Sequence, residues 1–214
     1  LATGGFGQGR FQLIARVMVH STRAWSSMQV GQQQGADWNV VQNVIINGAG
    51  PDPRGNGAAP NEDPFRNWNG EAAAWADGLS IGAKNSLIRN NLVIDPTDVG
   101  IVVFSAPGTL VENNVIACVT RETFAGINMV DAIAEFVVTD ETGTWSNYGD
   151  VIVRNNTLDA WGGKIMNGIC MGRHRWGCDD DYWGGYDFRG PVIVDNHFSG
   201  DCFGWGIPYG DFTD

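Results

Sequence analysis

One short pattern of apolar and polar positions returns along the whole chain. From Asn85 the sequence reads NSLIRNNLVID, and from Gly108 it reads GTLVENNVIAC. DVIVRNNTLDA follows from Asp150 and GPVIVDNHFSG from Gly190. An earlier copy, WNVVQNVIING, begins at Trp38. A degenerate copy, FQLIARVMVH, begins at Phe11 and has Arg16 where the others have asparagine. Each copy runs a short strand-like segment into Val/Ile-x-Asn, and a second apolar stretch follows. The aligned asparagines are Asn43, Asn90, Asn113, Asn155 and Asn196. Asparagine tolerates left-handed backbone and bonds its neighbours through its amide, so the spacing predicts a corner of the chain. Stacked on one another, these asparagines are expected to form a hydrogen-bonded row.

A second series alternates with the first. It reads GLSI from Gly78, GIVVF from Gly100, GINMV from Gly126, GICM from Gly168 and GIPY from Gly206, with SSMQV from Ser26 as a further member. Each repeat therefore holds a strand ending at the Asn corner, a strand after it, and a third strand opening with glycine. Three short strands per turn of about 22 residues make the coil of a solenoid. The expected fold is all-β: a right-handed parallel β-helix, a single-stranded solenoid of about six coils, ~29 Å long at ~4.8 Å per coil. A leucine-rich repeat would need leucine at fixed offsets, whereas these coils are centred on Val and Ile. A sandwich would not keep asparagine in phase. Residues 1–214 form one domain, either a processed chain or an excised part of a longer solenoid.

Three insertions interrupt the coils: 47–76, 131–149 and 172–190. The first lies before a glycine strand and is rich in Gly, Pro, Asn and Trp, which predicts an irregular loop. The other two leave from the opposite side of neighbouring glycine strands. Loops thus flank the sheet made by those strands, and the face between them is a candidate groove. Trp75, Trp145, Trp176 and Trp183 fall in or beside the loops. They are candidates for stacking on sugar rings, or for capping the loops with small satellite cores. If Ile and Leu point inward, the outward row of the sheet is Ser80, Val102, Asn128, Cys170 and Pro208. Asn128 is the candidate substrate contact in that row.

Composition narrows the partners. Thirty glycines suit a turn-rich β protein, and the net charge of −11 argues against a nucleic-acid backbone as ligand. A neutral or uronic polysaccharide remains open. No run of about 18 apolar residues spans a membrane. Cys118, Cys170, Cys178 and Cys202 fit no zinc spacing. They are either buried thiols or disulfide partners, Cys170 with Cys178 being the most local pairing. Few lysines, many tryptophans and the expected fold point to secretion.

The repeat resembles the pectin-lyase-like superfamily of right-handed β-helices, which holds polysaccharide lyases and glycoside hydrolases. The resemblance runs from Phe11 to Asp211. WADGLSI from Trp75, DVGIVVF from Asp98, GINMVD from Gly126 and GICMG from Gly168 are also similar to secreted fungal and bacterial β-helix proteins. Polygalacturonases place Asn-Thr-Asp-Gly, Asp-Asp and His-Gly on successive coils of one sheet. Here Asp77-Gly78 matches the first in part. Asp98 occupies the second coil with Val99 after it, and Ala125-Gly126 replaces His-Gly. The resemblance implies catalytic roles for Asp77 and Asp98 alone.

The chemistry those residues could perform is definite. Carboxyls on adjacent coils stand close enough to work as acid and base, and their mutual repulsion raises one pKa. The bland alternative is that both simply end turns. Asp131, Arg173 and His174 are further candidates beside the glycine strands, because a lyase needs a base and a cation to neutralise a uronate. Arg173 and its neighbours could instead pair with Asp179, Asp180 and Asp181, an acidic run that could also hold Ca2+. Two functions stay open. One is a secreted hydrolase or lyase acting on an extracellular glycan along the glycine sheet. The other is a non-catalytic carbohydrate-binding, adhesive or filament-forming module that self-associates through its open coil ends.

Overall fold

The computed structural model describes residues 2–3, 9–22, 26–31, 37–49, 76–130, 134–171, 187–200 and 203–207. The chain winds as a right-handed parallel β-helix through three parallel sheets. The glycine sheet stacks Ala2–Thr3, Ser26–Val30, Asp77–Ile81, Val99–Phe104, Glu122–Val130, Lys164–Met171 and Phe203–Trp205. A second sheet carries the strands before the Asn corner: Leu13–Ala15, Val40–Gln42, Leu87–Arg89, Leu110–Glu112, Ile152–Arg154 and Val192–Val194. The third carries Met18–His20, Ile45–Asn47, Leu92–Ile94, Val115–Ala117, Thr157–Asp159 and His197–Ser199. Six coils are therefore in register, and the expected architecture holds.

The register explains the pattern. Val41, Ile88, Val111 and Val153 stack in one inward column, and Ile46, Val93, Ile116 and Leu158 in another. Met28, Leu79, Ile101, Ile127 and Ile169 face them from the glycine sheet, and all are buried. Every strand residue of this type buries its side chain against two sheets at once, at ~25 cal/mol per Å2 of apolar surface. The recurring glycine has a steric cause. A Cβ on Gly78 would stand 2.4 Å from Val93 Cγ1, on Gly100 2.5 Å from Gly126 O, and on Gly126 2.1 Å from Leu158 Cδ2. Glycine lets the strand turn its backbone against the third sheet. The residue before it then points outward.

The asparagine row exists, but one residue later than expected. The corner position proper is left-handed at Arg16, Asn43, Asn90, Asn113, Asn155 and Asp195, with φ between 52° and 57°. Asn43, Asn90, Asn113, Asn155 and Asp195 are exposed. The next residue points inward, and there Asn91, Asn114, Asn156 and Asn196 form the ladder. Asn91 N–H donates to Asn114 Oδ1, Asn114 N–H to Asn156 Oδ1 and Asn156 N–H to Asn196 Oδ1, each at 3.0 Å. Asn196 thus belongs to the ladder, and Asp195 takes the corner. A shorter row of the same kind joins Asn39, Ser86 and Thr109 at the preceding corner.

The second insertion carries regular structure among its described residues. Ala134–Phe136 forms a 3-10 turn, and Val137–Asp140 pairs antiparallel with Gly143–Asn147 as a hairpin. Asp187–Arg189, the end of the third insertion, adds a parallel strand to that hairpin. Tyr148 anchors this small sheet to the rod. Its buried hydroxyl reaches Val103 O at 2.7 Å and Val130 O at 2.6 Å, and its ring stacks on Phe188. Of the first insertion, residues 50–75 lie outside the described residues. Cys118 and Cys170 are buried; Cys178 and Cys202, and with them the Cys170–Cys178 pairing, lie outside the described residues. Burial pushes the Cys170 thiol up to about 12. No helix among the described residues is long and apolar enough to cross a membrane.

Candidate functional site

Two outward columns run along the glycine sheet. Ser26, Asp77, Val99, Ala125 and Asn167 align in the first, just before the glycine bend. Gln29, Ser80, Val102, Asn128 and Cys170 align in the second. From Ser80 to Cys170 the second is the row expected to line an open groove, in the expected register; Pro208, its further expected member, lies outside the described residues. The row is nevertheless covered: Ser80, Val102, Asn128 and Cys170 are all buried. The cause is composition. Val99, Val102, Ala125, Val130 and Cys170 make a second apolar cluster on the outside of the sheet, with Phe104 and Phe124 packed against it.

Asp77 and Asp98 sit at the edge of this cluster. Their backbones are strapped together. Asp98 N–H donates to Ala76 O at 3.1 Å, and Ala76 N–H donates to Thr97 Oγ1 at 2.9 Å. The Asp98 carbonyl accepts from Phe124 N–H at 2.7 Å, from Ala125 N–H at 3.2 Å and from Thr123 Oγ1. Asp98 is thereby pinned between the coils above and below it. Val99, not Asp98, is in register with Asp77, so the two carboxyls come together from staggered positions.

Asp77 is 7% exposed. Its Oδ2 accepts from Ser80 Oγ at 2.8 Å and from Ser26 Oγ at 3.4 Å, and the two hydroxyls also bond each other. Its Oδ1 is buried without a partner. Burial first, and the Asp98 charge second, hold the Asp77 carboxyl well above the usual carboxylate range. Hydrogen bonds from Ser80, Ser26 and the Val99 N–H oppose them. Burial pushes Asp98 up to about 7. Asp98 is the more open of the two, half-buried where Asp77 is buried. Two coupled carboxyls in an apolar setting can hold and release a proton near neutral pH.

The other expected residues divide. Asn128 lies on the same face as Asp77 but is buried in the second column. Trp145 is on the hairpin, half-buried. Its indole N–H donates to Asp140 Oδ2 at 3.2 Å, and the Arg189 guanidinium lies 4.9 Å from its ring centroid. One face of that ring is thus occupied by an arginine rather than open to a sugar. Arg121, which the sequence did not single out, binds Ala49 O and Asp95 O at the corner between the third sheet and the glycine sheet and serves the coil backbone. Trp75, Asp131, Arg173, His174, Trp176 and Trp183 lie outside the described residues, as does the acidic run considered for Ca2+, Asp179 to Asp181. Among the described residues no group of His, Cys, Asp or Glu converges as a metal site.

Ser26 and Ser80 were not singled out by motif. The signal for Ser26 was its place in the glycine series, which puts it beside Asp77 on the next coil. No family model matches the chain, and neither a curated protein nor a solved structure matches it.

Proposed function

We propose that this is a secreted, polysaccharide-active β-helix protein of pectin-lyase-like type, and that the Asp77–Asp98 pair is its acid–base centre. The observation that carries the proposal is the pair itself: two coupled carboxyls in an apolar edge of the glycine sheet, one of them poised at about 7. Asp98, the more accessible, is the group that gives a proton to a leaving oxygen or takes one from water. Asp77, held by Ser26 and Ser80, sets its charge and position. A protonated carboxyl beside a second carboxyl is the equipment of glycosidic-bond hydrolysis. Elimination would need a cation at the substrate carboxylate as well. Arg173 and His174, the candidates for that cation, lie outside the described residues; the carboxyl pair by itself favours hydrolysis of an extracellular glycan.

The test is to incubate the chain with neutral and uronic polysaccharides and read reducing ends and unsaturated products separately. New reducing ends without unsaturation are expected, and Asp98→Asn should slow their release about 10²–10⁴-fold. Absence of product from every glycan would sink the enzymatic reading. A second reading, a non-catalytic glycan-binding module, is favoured by the burial of Ser80, Val102 and Asn128, which leaves little of the sheet open to a polymer.

A further inference from the structure

A second left-handed column runs along the corner between the glycine sheet and the second sheet. It holds Phe11 (φ 55°), Trp38 (φ 55°), Asn85 (φ 50°), Gly108 (φ 73°), Asp150 (φ 58°) and Gly190 (φ 100°). Asn, Gly and Asp are the residues that accept this backbone at low cost. Phe and Trp are not, and a bulky ring there is a strained outlier. Burial does not offset the strain, because Phe11 is 77% exposed and Trp38 53%. The two rings stand at neighbouring coils. Phe11 N–H donates to Asp37 O at 3.2 Å, and Trp38 N–H donates to Lys84 O at 3.1 Å. Backbones so paired are ~4.8 Å apart. The chain thus tolerates strain twice in succession to hold two aromatic rings in water.

Their surroundings specify the ligand. Leu13, 64% exposed, and Val40 lie beside the rings on the second sheet. On the other side the Asp37 carboxylate accepts from Asn85 Nδ2 at 2.8 Å. Aromatic faces next to a half-buried carboxylate–amide pair match a sugar, whose ring offers an apolar C–H face and hydroxyls at its edge. We propose that Phe11 and Trp38 form a glycan-binding platform, with Asp37 and Asn85 taking hydroxyl groups. The inference rests on the carbohydrate reading of the preceding section. It adds a second site, on the opposite edge of the glycine sheet from Asp77, that tethers the polymer without touching the scissile bond.

The decisive variants are Trp38→Asn and Phe11→Asn, because asparagine suits the backbone that each ring strains. Both should fold with a midpoint equal to or above that of the parent chain. The assay is electrophoresis of the intact chain through native gels holding mixed-linkage glucan, xyloglucan, galactomannan or homogalacturonan. The parent chain is expected to be retarded by at least one polymer, and each variant to bind about tenfold more weakly. Unchanged retardation in both variants would overturn the platform, as would a parent chain retarded by none of the polymers. Sedimentation without glycan tests the rival occupant: a parent chain that self-associates and Asn variants that are monomeric yet still retarded would assign the rings to a copy of the chain instead. Retardation without any cleavage product would remove the acid–base centre and leave the platform standing.

Discussion

The inward ladder can be separated from the outward corner by two adjacent substitutions. Asn114 is buried, and its side chain makes four hydrogen bonds. Its Oδ1 accepts from Asn91 N–H at 3.0 Å and Asn91 Nδ2 at 2.9 Å. Its Nδ2 donates to Ile88 O and to Asn156 Oδ1, each at 3.0 Å. Asn114→Ala deletes all of them. Asn91 Nδ2 keeps Val41 O, and Asn156 Oδ1 keeps the Asn114 N–H, so those groups lose little. The Asn91 N–H is left buried and bare, at a cost of ~1–3 kcal/mol. With the remaining bonds the loss comes to about 3 kcal/mol. Asn113, one residue earlier, is exposed at φ 55°, and Asn113→Ala costs only left-handed strain, ~1–2 kcal/mol. Asn113→Gly should be close to neutral, since glycine carries no such strain. Urea titration reads the order directly. At a slope of ~2 kcal/mol/M, Asn114→Ala should lower the midpoint by ~1.5 M, at unchanged slope. A loss at Asn113 equal to or larger than that at Asn114 would refute the ladder assignment.

Stability should fall as pH rises between about 4 and about 7. The folded Asp98 value of about 7 lies above the unfolded value near 3.9, so the native state binds the extra proton. The stability it contributes is complete below the unfolded value and lost as pH passes the folded one. Midpoints measured across that window should decline for the parent chain and decline less steeply for Asp98→Asn, in which the buried Asp77 still titrates, and an unchanged decline in the variant would exclude Asp98 as a titrating group. Gly100→Ala would place a Cβ 2.5 Å from Gly126 O and from Ile116 Cγ2, and should cost about 2–3 kcal/mol. Gly206→Ala, with nothing within 4 Å, is its control and should fall within ~0.5 kcal/mol of the parent chain.

The fold was legible because a solenoid writes its register into the sequence. The glycine series, from Ser26 to Gly168, marks the strands of one sheet, and the Val/Ile-x-Asn corner marks the turn between the other two. The corner was off by one in a single copy. In VIVDN the Val/Ile-x-Asn pattern matches at Val194 and Asn196, whereas backbone pairing sets Ile193 on Val153 and so puts Asp195 at the turn. Doubled asparagines hid which of the two points inward. That choice follows from alternation beyond the turn, because Val44 occupies the inward position on the coil that has one asparagine. The site was less legible. Asp77 and Asp98 could be placed on adjacent coils, and their stagger is written in their offsets from glycine, Asp77-Gly78 against Asp98-Val99-Gly100; the burial around them was not legible. The buried outer face depends on Phe104 and Phe124 folding over the sheet, a tertiary contact between residues of different coils. The strain at Phe11 and Trp38 is visible only once backbone angles align them with Asn85 and Gly108.

Asp77 offers the sharpest distinction between a structural and a functional carboxyl. Its column runs Ser26, Asp77, Val99, Ala125, Asn167, and the two residues after it are fully buried apolar side chains in one cluster. The same position one coil on therefore accepts valine without penalty. A carboxyl there has one oxygen without a partner, sits beside a second carboxyl, and is raised well above its ordinary pKa. Replacing such a buried ionisable group with a packed apolar one is commonly neutral or stabilising by ~1–4 kcal/mol. The hydroxyls of Ser26 and Ser80 also bond each other, so removal of the carboxylate takes the acceptor from one hydroxyl proton and leaves the other bonded. Asp77→Val is thus expected to hold or raise the urea midpoint at pH 7 while abolishing release of reducing ends. A loss of more than ~2 kcal/mol would show that the carboxyl serves the fold. Retained stability with lost cleavage would mean that the chain keeps a costly group where valine fits, which is the signature of a residue held for chemistry.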